Sequence, residues 1–436
     1  MTPAELSIAF FLQLLLIIAA CRGVGWLARR FLGQPQVVGE MIAGVVLGPS
    51  LLGLLAPELQ AALFPSDSRP ILFVVAQLGV GLYMFIVGLG FDLAHFKGNA
   101  RSAAAVSLSG IAAPFLVAVA LTPWLVATPG LFSPDITQAE ATLFMGACIA
   151  ITAFPMLARI IHERGISGSA LGTLTLSAGA IDDAAAWMVL AIVLASFGDG
   201  PGVAFLAIGG GVAFAAVMLT IAPPLLAKLG EWHAREGAVT QPILAVAMML
   251  FMASAWIMDV VGIHAVFGGF ILGAVMPRGA FAEQLKKVLE PLVVVVLLPC
   301  FFTYSGLNTQ LTLVSDSHLL GIAAAILLGS ILAKGGACYL AARLTGQDHR
   351  TAAGIGSLMN ARGLMELIII NIGLQRGIIE PALFSIMVVM AIVTTLMASP
   401  LFELFYGRHA RREGRLGALA EPPGQRDALT SGSSPG

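Results

Sequence analysis

The chain has 436 residues, 58% of them hydrophobic and 11% charged, with a formal net charge of -1. A soluble protein carries roughly 25% charged residues, so this composition places the chain in a membrane, and its near-neutral balance excludes an electrostatic nucleic-acid binder. The four cysteines, Cys21, Cys148, Cys300 and Cys338, lie in apolar segments with no disulfide or metal spacing, and nothing in the sequence calls for a cofactor or an enzymatic constellation.

Thirteen apolar segments follow in chain order, at roughly 6–28, 36–54, 71–91, 102–125, 141–161, 169–197, 202–227, 240–258, 262–277, 289–307, 318–343, 351–374 and 381–406. Most have the length of a membrane span. No Lys or Arg precedes the first segment, whereas Arg22, Arg29 and Arg30 follow it. It is therefore expected to stay as a helix with its N-terminus outside, not to be cleaved as a leader. Segment 5 holds Thr152 and Pro155, and segment 6 holds the adjacent pair Asp182 and Asp183. Segment 7, with Gly209, Gly210 and Gly211, reads as a linker. Segment 9 is short and glycine-containing, which suits a tilted or re-entrant helix. Segment 11 carries Lys334, and segment 12 carries Gly354, Gly356, Asn360, Arg362, Gly363 and Glu366. From about Glu413 the chain becomes rich in Gly, Pro and Ser and reads as a disordered cytoplasmic tail, 413–436.

The distribution of basic residues tests this count. Counted from an outside N-terminus, the inside loops and tail take nearly all of the 23 Lys and Arg, among them Arg29, Arg30, Lys97, Arg101, Lys286 and Lys287. The outside loops take only Arg69 and Arg376. A miscounted span would mix the two groups from that point on, so the expectation is thirteen spans, N-terminus out and C-terminus in. An odd number allows two six-helix halves of opposite orientation, spans 1–6 and 8–13, around span 7. That is a common plan of secondary transporters.

Asp182 and Asp183 have about a dozen apolar or small residues on each side, which puts both carboxylates near the bilayer centre. A charge there costs at least ~3 kcal/mol, and two like charges cost more. A carboxylate that takes either a proton or a metal cation, but not both, is the core of an exchanger. Lys334 lies ~14 Å along a helix from the inner boundary, beyond easy snorkelling, and needs an anionic partner such as Asp182 or Asp183. Thr152 beside Pro155, and the glycines around Asn360, suggest that spans 5 and 12 are both broken at the midplane, where carbonyls and helix ends can face an ion. Arg362 and Glu366 are four residues apart on one helix face and read as a structural ion pair. Glu40 and His264 stand alone and read as structural, although His264 is of a type that can sense pH.

Four stretches together resemble the monovalent cation:proton antiporter family 2, with its NapA-type Na+/H+ antiporters and Kef-type membrane domains. They are Gln34-Pro-Gln-Val-Val-Gly-Glu40-Met-Ile-Ala-Gly-Val-Val-Leu-Gly-Pro-Ser50, Ala180-Ile-Asp182-Asp183, Ala333-Lys334-Gly335 and Met359-Asn-Ala-Arg362-Gly-Leu-Met-Glu366. The resemblance implies an all-α polytopic fold with inverted repeats and two crossed, discontinuous helices, here spans 5 and 12. It implies a transmembrane exchanger domain over 1–412. Within it, a dimerisation part covers about 1–95 and 238–310, a core about 98–198 and 315–406, and a linker helix about 202–228. It also implies a homodimer, an elevator-type cycle, Asp183 as the cation and proton site, and Asp182 paired with Lys334. Kef-type members tend to carry Gln-Asp at the aspartate pair and a cytosolic regulatory domain, and this sequence has neither. The expected function is electrogenic exchange of protons for Na+ or Li+, with K+ as the alternative cation, in a bacterial inner membrane. A sodium-coupled solute symporter of similar plan is the competing reading, ahead of a cation channel and an intramembrane aspartyl protease. Adjacent aspartates on one helix point ~100° apart and do not form a protease dyad by themselves.

Overall fold

The computed structural model describes the chain except residues 33, 35, 91–92, 167–168, 195–200, 263–264, 309–316, 363–365, 367–368, 371–372, 375 and 413–436. The tail, His264 and Gly363 thus lie outside the described residues. What is described is almost entirely helical, as a bilayer demands of a chain that must satisfy its own backbone.

The first half opens with α1 (Pro3–Leu32) and α2 (Gln36–Leu47), joined through two short helices, α3 (Leu52–Leu55) and α4 (Pro57–Leu63), to α5 (Arg69–Leu89). Then come α6 (Leu93–Ala127), the interrupted pair α7 (Gln138–Ala150) and α8 (Phe154–Glu163), and α9 (Ala170–Leu194). α10 (Pro201–Thr220) leads into α11 (Ala222–Glu236) across a 48° bend. Segment 7 is therefore bent. It continues as a helix whose turn at Ile221 is followed by Pro223 and Pro224, where the missing amide protons are tolerated in a first helical turn.

The second half contains α12 (Gln241–Val261), the eleven-residue α13 (Ala265–Val275), α14 (Ala280–Leu292) and α15 (Leu298–Leu307). α16 (Ser317–Ile331) and α17 (Ala337–Leu344) follow, then α18 (His349–Met359), α19 (Pro381–Phe402) and α20 (Arg408–Arg412). Three of these joins are π-helical turns rather than breaks: Val293–Leu297, Leu332–Gly336 and Glu403–Gly407. Among the described residues, eight helices are long and apolar enough to cross a bilayer, nine if the bent pair Ile208–Thr220 and Ala222–Glu236 is one span. The other four of the thirteen segments are the interrupted α7–α8, the short α13, α18 with its break, and α9, which carries the aspartates.

Several helix pairs pack closely. α2 packs on α15 and α5 packs on α13, while α6 packs on α7 and α9, and α16 on α19. Glycine makes the α5–α13 contact intimate. A Cβ at Gly88 would strike the Phe270 carbonyl, and one at Gly273 the Phe85 carbonyl. Small residues at such crossings let membrane helices gain dispersion energy that lipid does not supply.

Candidate functional site

The site is built where two helices stop. α7 starts from a capping box, with the Glu140 amide donating to Thr137 Oγ1 (3.2 Å) and the Thr137 amide donating to Glu140 Oε2 (2.9 Å). It ends at Ala150, and Ile151, Thr152 and Ala153 are non-helical before α8 begins. α18 starts from Asp348, whose carboxylate accepts the amides of Arg350 and Thr351 (3.1 Å each), and it ends at Met359. Burial pulls the Asp348 carboxyl up, but those hydrogen bonds outweigh it and hold the group below its ordinary range. The two interruptions meet: the Ala153 amide donates to the Ala361 carbonyl (3.1 Å), and Thr152 Oγ1 lies 3.0 Å from the Met359 carbonyl.

The physical cause of the breaks differs from the expected one. Pro155 is the second residue of α8, a position where proline costs no hydrogen bond, and the non-helical stretch lies just before it. Gly354 and Gly356 sit inside the continuous α18. Their role is close packing, since a Cβ at Gly356 would press on the Gly335 carbonyl.

Asp182, Asp183 and Lys334 all fall in this region, and all three are buried. Lys334 lies in the middle of the π turn, forms an ion pair with Asp182 Oδ2, and also donates to the Ala150 carbonyl. The ammonium thus answers both a carboxylate and one of the carbonyls left free at the end of α7. Asp182 Oδ1 accepts from Ser107 Oγ (2.7 Å), and Thr152 Oγ1 lies 2.9 Å from Asp182 Oδ2. The Thr152 hydroxyl has one proton for two acceptors, so Asp182 and the Met359 carbonyl compete for it. Ser107, on α6, was not singled out in the sequence. Nothing local distinguishes it from other span serines, and only the packing of α6 against α9 brings it to Asp182.

Asp183 is different. It is 3% exposed and its Oδ1 has no hydrogen-bond partner among the described residues. Buried polar atoms are nearly always paired, so this oxygen stands in contrast to both oxygens of Asp182, which have partners.

Arg362 and Glu366 form an ion pair at 3.5 Å, and both are fully buried. Arg362 does more than was expected of it. Its Nη1 donates to the Cys148 carbonyl (2.9 Å) and its Nη2 to the Ile149 carbonyl (2.8 Å). With Lys334 on Ala150, three consecutive terminal carbonyls of α7 are capped by two cations from the other half of the chain. Glu40 is also fully buried, away from this site, and accepts from Gln36 Nε2 (3.2 Å).

An all-helical bundle with two interrupted helices that meet at buried charges is the architecture of a secondary ion transporter. The comparisons agree. The family model for the transmembrane sodium/hydrogen exchanger matches residues 11–404. The Na(+)/H(+) antiporter NhaS4 of Synechocystis sp. is 37% identical over 397 residues, which is 90% of this chain and 96% of that protein. The K(+)/H(+) antiporter 1 of Saccharomyces cerevisiae is 32% identical over 97% of this chain, but the match spans only 49% of its own length. The Na(+)/H(+)-K(+) antiporter GerN of Bacillus cereus is 27% identical over 91% of this chain and 96% of its own. The chain thus spans nearly the whole of the Synechocystis and Bacillus relatives and about half of the yeast one. Among solved structures, the sodium proton antiporter MjNhaP1 from Methanocaldococcus jannaschii shares the fold, with a TM-score of 0.64, 16% identity, and coverage of 96% of this chain and 100% of that one. The chain belongs to the sodium/hydrogen exchanger family and is a multi-pass integral membrane protein with an antiporter fold.

Proposed function

We propose that this protein is a secondary antiporter that exchanges protons for a monovalent cation, Na+ or Li+ in preference to K+, at Asp183. The observation that carries this reading is the asymmetry of the aspartate pair. Asp182 is held by Lys334, Ser107 and Thr152, while Asp183 presents an unpartnered carboxylate oxygen beside it. A bare carboxylate is costly to carry across the barrier, and a protonated or cation-loaded one is not. Competition for one site therefore couples the two fluxes. Thr152, with the carbonyls around the two breaks, completes the cation's surroundings.

Cation entry draws Asp182 away from Lys334 and lets Lys334 lose its proton. Two protons then leave for one cation, and each cycle moves one net charge, worth ~2.3 kcal/mol per 100 mV. The moving body is a core of about 98–198 and 315–406. A dimerisation part of about 1–95 and 238–310 stays fixed, and a linker helix of about 202–228 joins them in an elevator-type cycle of a homodimer. Helix packing supports this division. α2 with α15 and α5 with α13 are the same pairing after exchange of the two halves, and so are α6 with α9 and α16 with α19. Thirteen spans, N-terminus out and C-terminus in, in a bacterial inner membrane, complete the reading.

The test is a pH-gradient assay in proteoliposomes with Na+, Li+ and K+ in separate arms. The expected result is collapse of the gradient by Na+ or Li+ at lower concentration than by K+, without any organic solute. Cation flux with no counterflow of protons overturns the antiport reading.

A further inference from the structure

Between the π turn at 332–336, α18 and the end of α19 lies an open groove of about 290 Å3. Its walls are Leu332, Gly335, Gly356, Leu401 and Phe405. Leu332 and Phe405 are exposed, so the groove opens on the lipid-facing surface. It runs along α18 from His349 at the mouth to Asn360 at the floor, eleven residues or ~16 Å of helix, about the depth of one leaflet of the hydrocarbon core.

The mouth is basic. Tyr339 Oη and His349 Nδ1 share a hydrogen bond there (2.8 Å). Arg343, one turn beyond Tyr339, and Arg350, next to His349, are exposed, as is Arg408, next to the His409 that Arg350 touches. Among the described residues none of these three arginines forms an ion pair. Arg350 instead contacts the His409 ring, one basic side chain on another. Two acids close in sequence are committed elsewhere: Asp348 caps α18 and Glu403 pairs with Arg164 at 2.8 Å.

We propose that this groove binds one anionic phospholipid. Its acyl chain fills the cleft between α17, α18 and α19, and its phosphate rests on Arg343 and Arg350. An apolar slot of single-leaflet depth that opens beside exposed Leu332 and Phe405, under a rim of arginines without ion pairs among the described residues, suits that ligand. The lipid would ride on the helices that hold Lys334 and Asn360, and the site is independent of which ion is carried. Asn360 at the floor donates from Nδ2 to the Gly356 carbonyl (3.1 Å), while its Oδ1 has no hydrogen-bond partner among the described residues. The alternative occupant is therefore water, and the test separates the two.

The full-length protein in neutral detergent is titrated with phosphatidylglycerol, phosphatidylcholine or inorganic phosphate, and thermal unfolding is followed. Phosphatidylglycerol is expected to raise Tm by about 5 °C, and the other two to leave it near the starting value. The double variant Arg343→Gln with Arg350→Gln alters only exposed side chains, and should match the wild type without lipid and lose the gain. Ala353→Phe, which fills the cleft, should lose it too. Equal gain with phosphatidylcholine, gain from phosphate alone, or gain retained by the arginine double variant overturns the proposal. So does labelling of Ala353→Cys in liposomes by a membrane-impermeant thiol reagent, which would make the groove an aqueous crevice.

Discussion

Arg362 Nη1 donates to the carbonyl of Cys148 at 2.9 Å, so a cation from the second half of the chain closes the end of a half-helix in the first. The last four carbonyls of a helix have no partner within it, and inside a membrane no water replaces that partner. Arg362 also carries the counter-charge for Glu366, whose carboxylate oxygens make no hydrogen bond among the described residues.

This makes the two members of the ion pair unequal. Arg362→Met strands Glu366 and uncovers two carbonyls, whereas Glu366→Gln removes only the counter-charge. Breaking a buried pair costs ~3–5 kcal/mol, and the arginine variant should fall at or beyond the upper end. The double variant Arg362→Met with Glu366→Gln should recover part of the loss. Thermal unfolding of the four proteins in one detergent measures the cycle. A Glu366→Gln protein that is stable but has greatly weakened cation affinity would move Glu366 from structure into the transport path.

Asp183→Asn should fold, because a neutral amide at a buried orphan carboxylate removes a desolvated charge. On the proposed assignment of Asp183 as the shared proton and cation site, it should abolish exchange to below about 1% of wild type. Proton-coupled flux at a normal rate would show that another group carries the ion.

Lys334→Ala leaves Asp182 buried without its cation and the Ala150 carbonyl uncapped. A loss of ~3–5 kcal/mol of stability is expected. Any protein that still folds should exchange ions without moving net charge. Flux measured at imposed potentials of both signs checks this, and wild-type transport that ignores the potential removes the electrogenic step.

Ser107→Ala removes one of the donors to Asp182. A hydrogen bond to a charged group contributes ~1.5–3 kcal/mol, so the apparent cation affinity or the pH midpoint of exchange should shift by roughly ten-fold or one pH unit. Ser107→Thr should restore much of it. Matching loss of stability in both variants, with an unchanged pH profile, would reduce Ser107 to packing.

Asp348 gives a pH dependence with a definite sign. Its folded carboxyl is held below the ordinary range. Its contribution is therefore present above the unfolded value of about 3.9 and is lost as the pH falls through the lower folded value. Asp348→Ala should lower thermal stability at pH 7 by about 1 kcal/mol, a typical helix-cap loss. The gap to wild type should narrow steadily in acid. A gap that stays constant down to pH 3 would mean that the cap acts through backbone shape and not through charge.

Much of this molecule was legible one residue at a time. Asp182, Asp183, Lys334, Arg362 and Glu366 were conspicuous because a charge is expensive in an apolar run, and each one is fully or almost fully buried. That spans 5 and 12 are interrupted could be argued from Thr152, Pro155 and the glycines near Asn360; the breaks are there, but Pro155 lies in the first turn of α8 and Gly354 and Gly356 lie inside α18, so local chemistry gave the place and not the cause. What local chemistry could not decide is who faces whom. Ser107 is one apolar-span serine among several until α6 packs on α9. The π turn that carries Lys334 follows no local signal, because one extra residue in a helical turn is tolerated when the new aim of a side chain satisfies groups elsewhere. By spacing alone Arg362 belongs to Glu366, yet its shortest contacts run to the Cys148 and Ile149 carbonyls, more than 200 residues away. Sequence determines which groups are too costly to leave alone in a bilayer. The tertiary fold decides which partners relieve that cost, because in a medium without water every such group must find its partner across space.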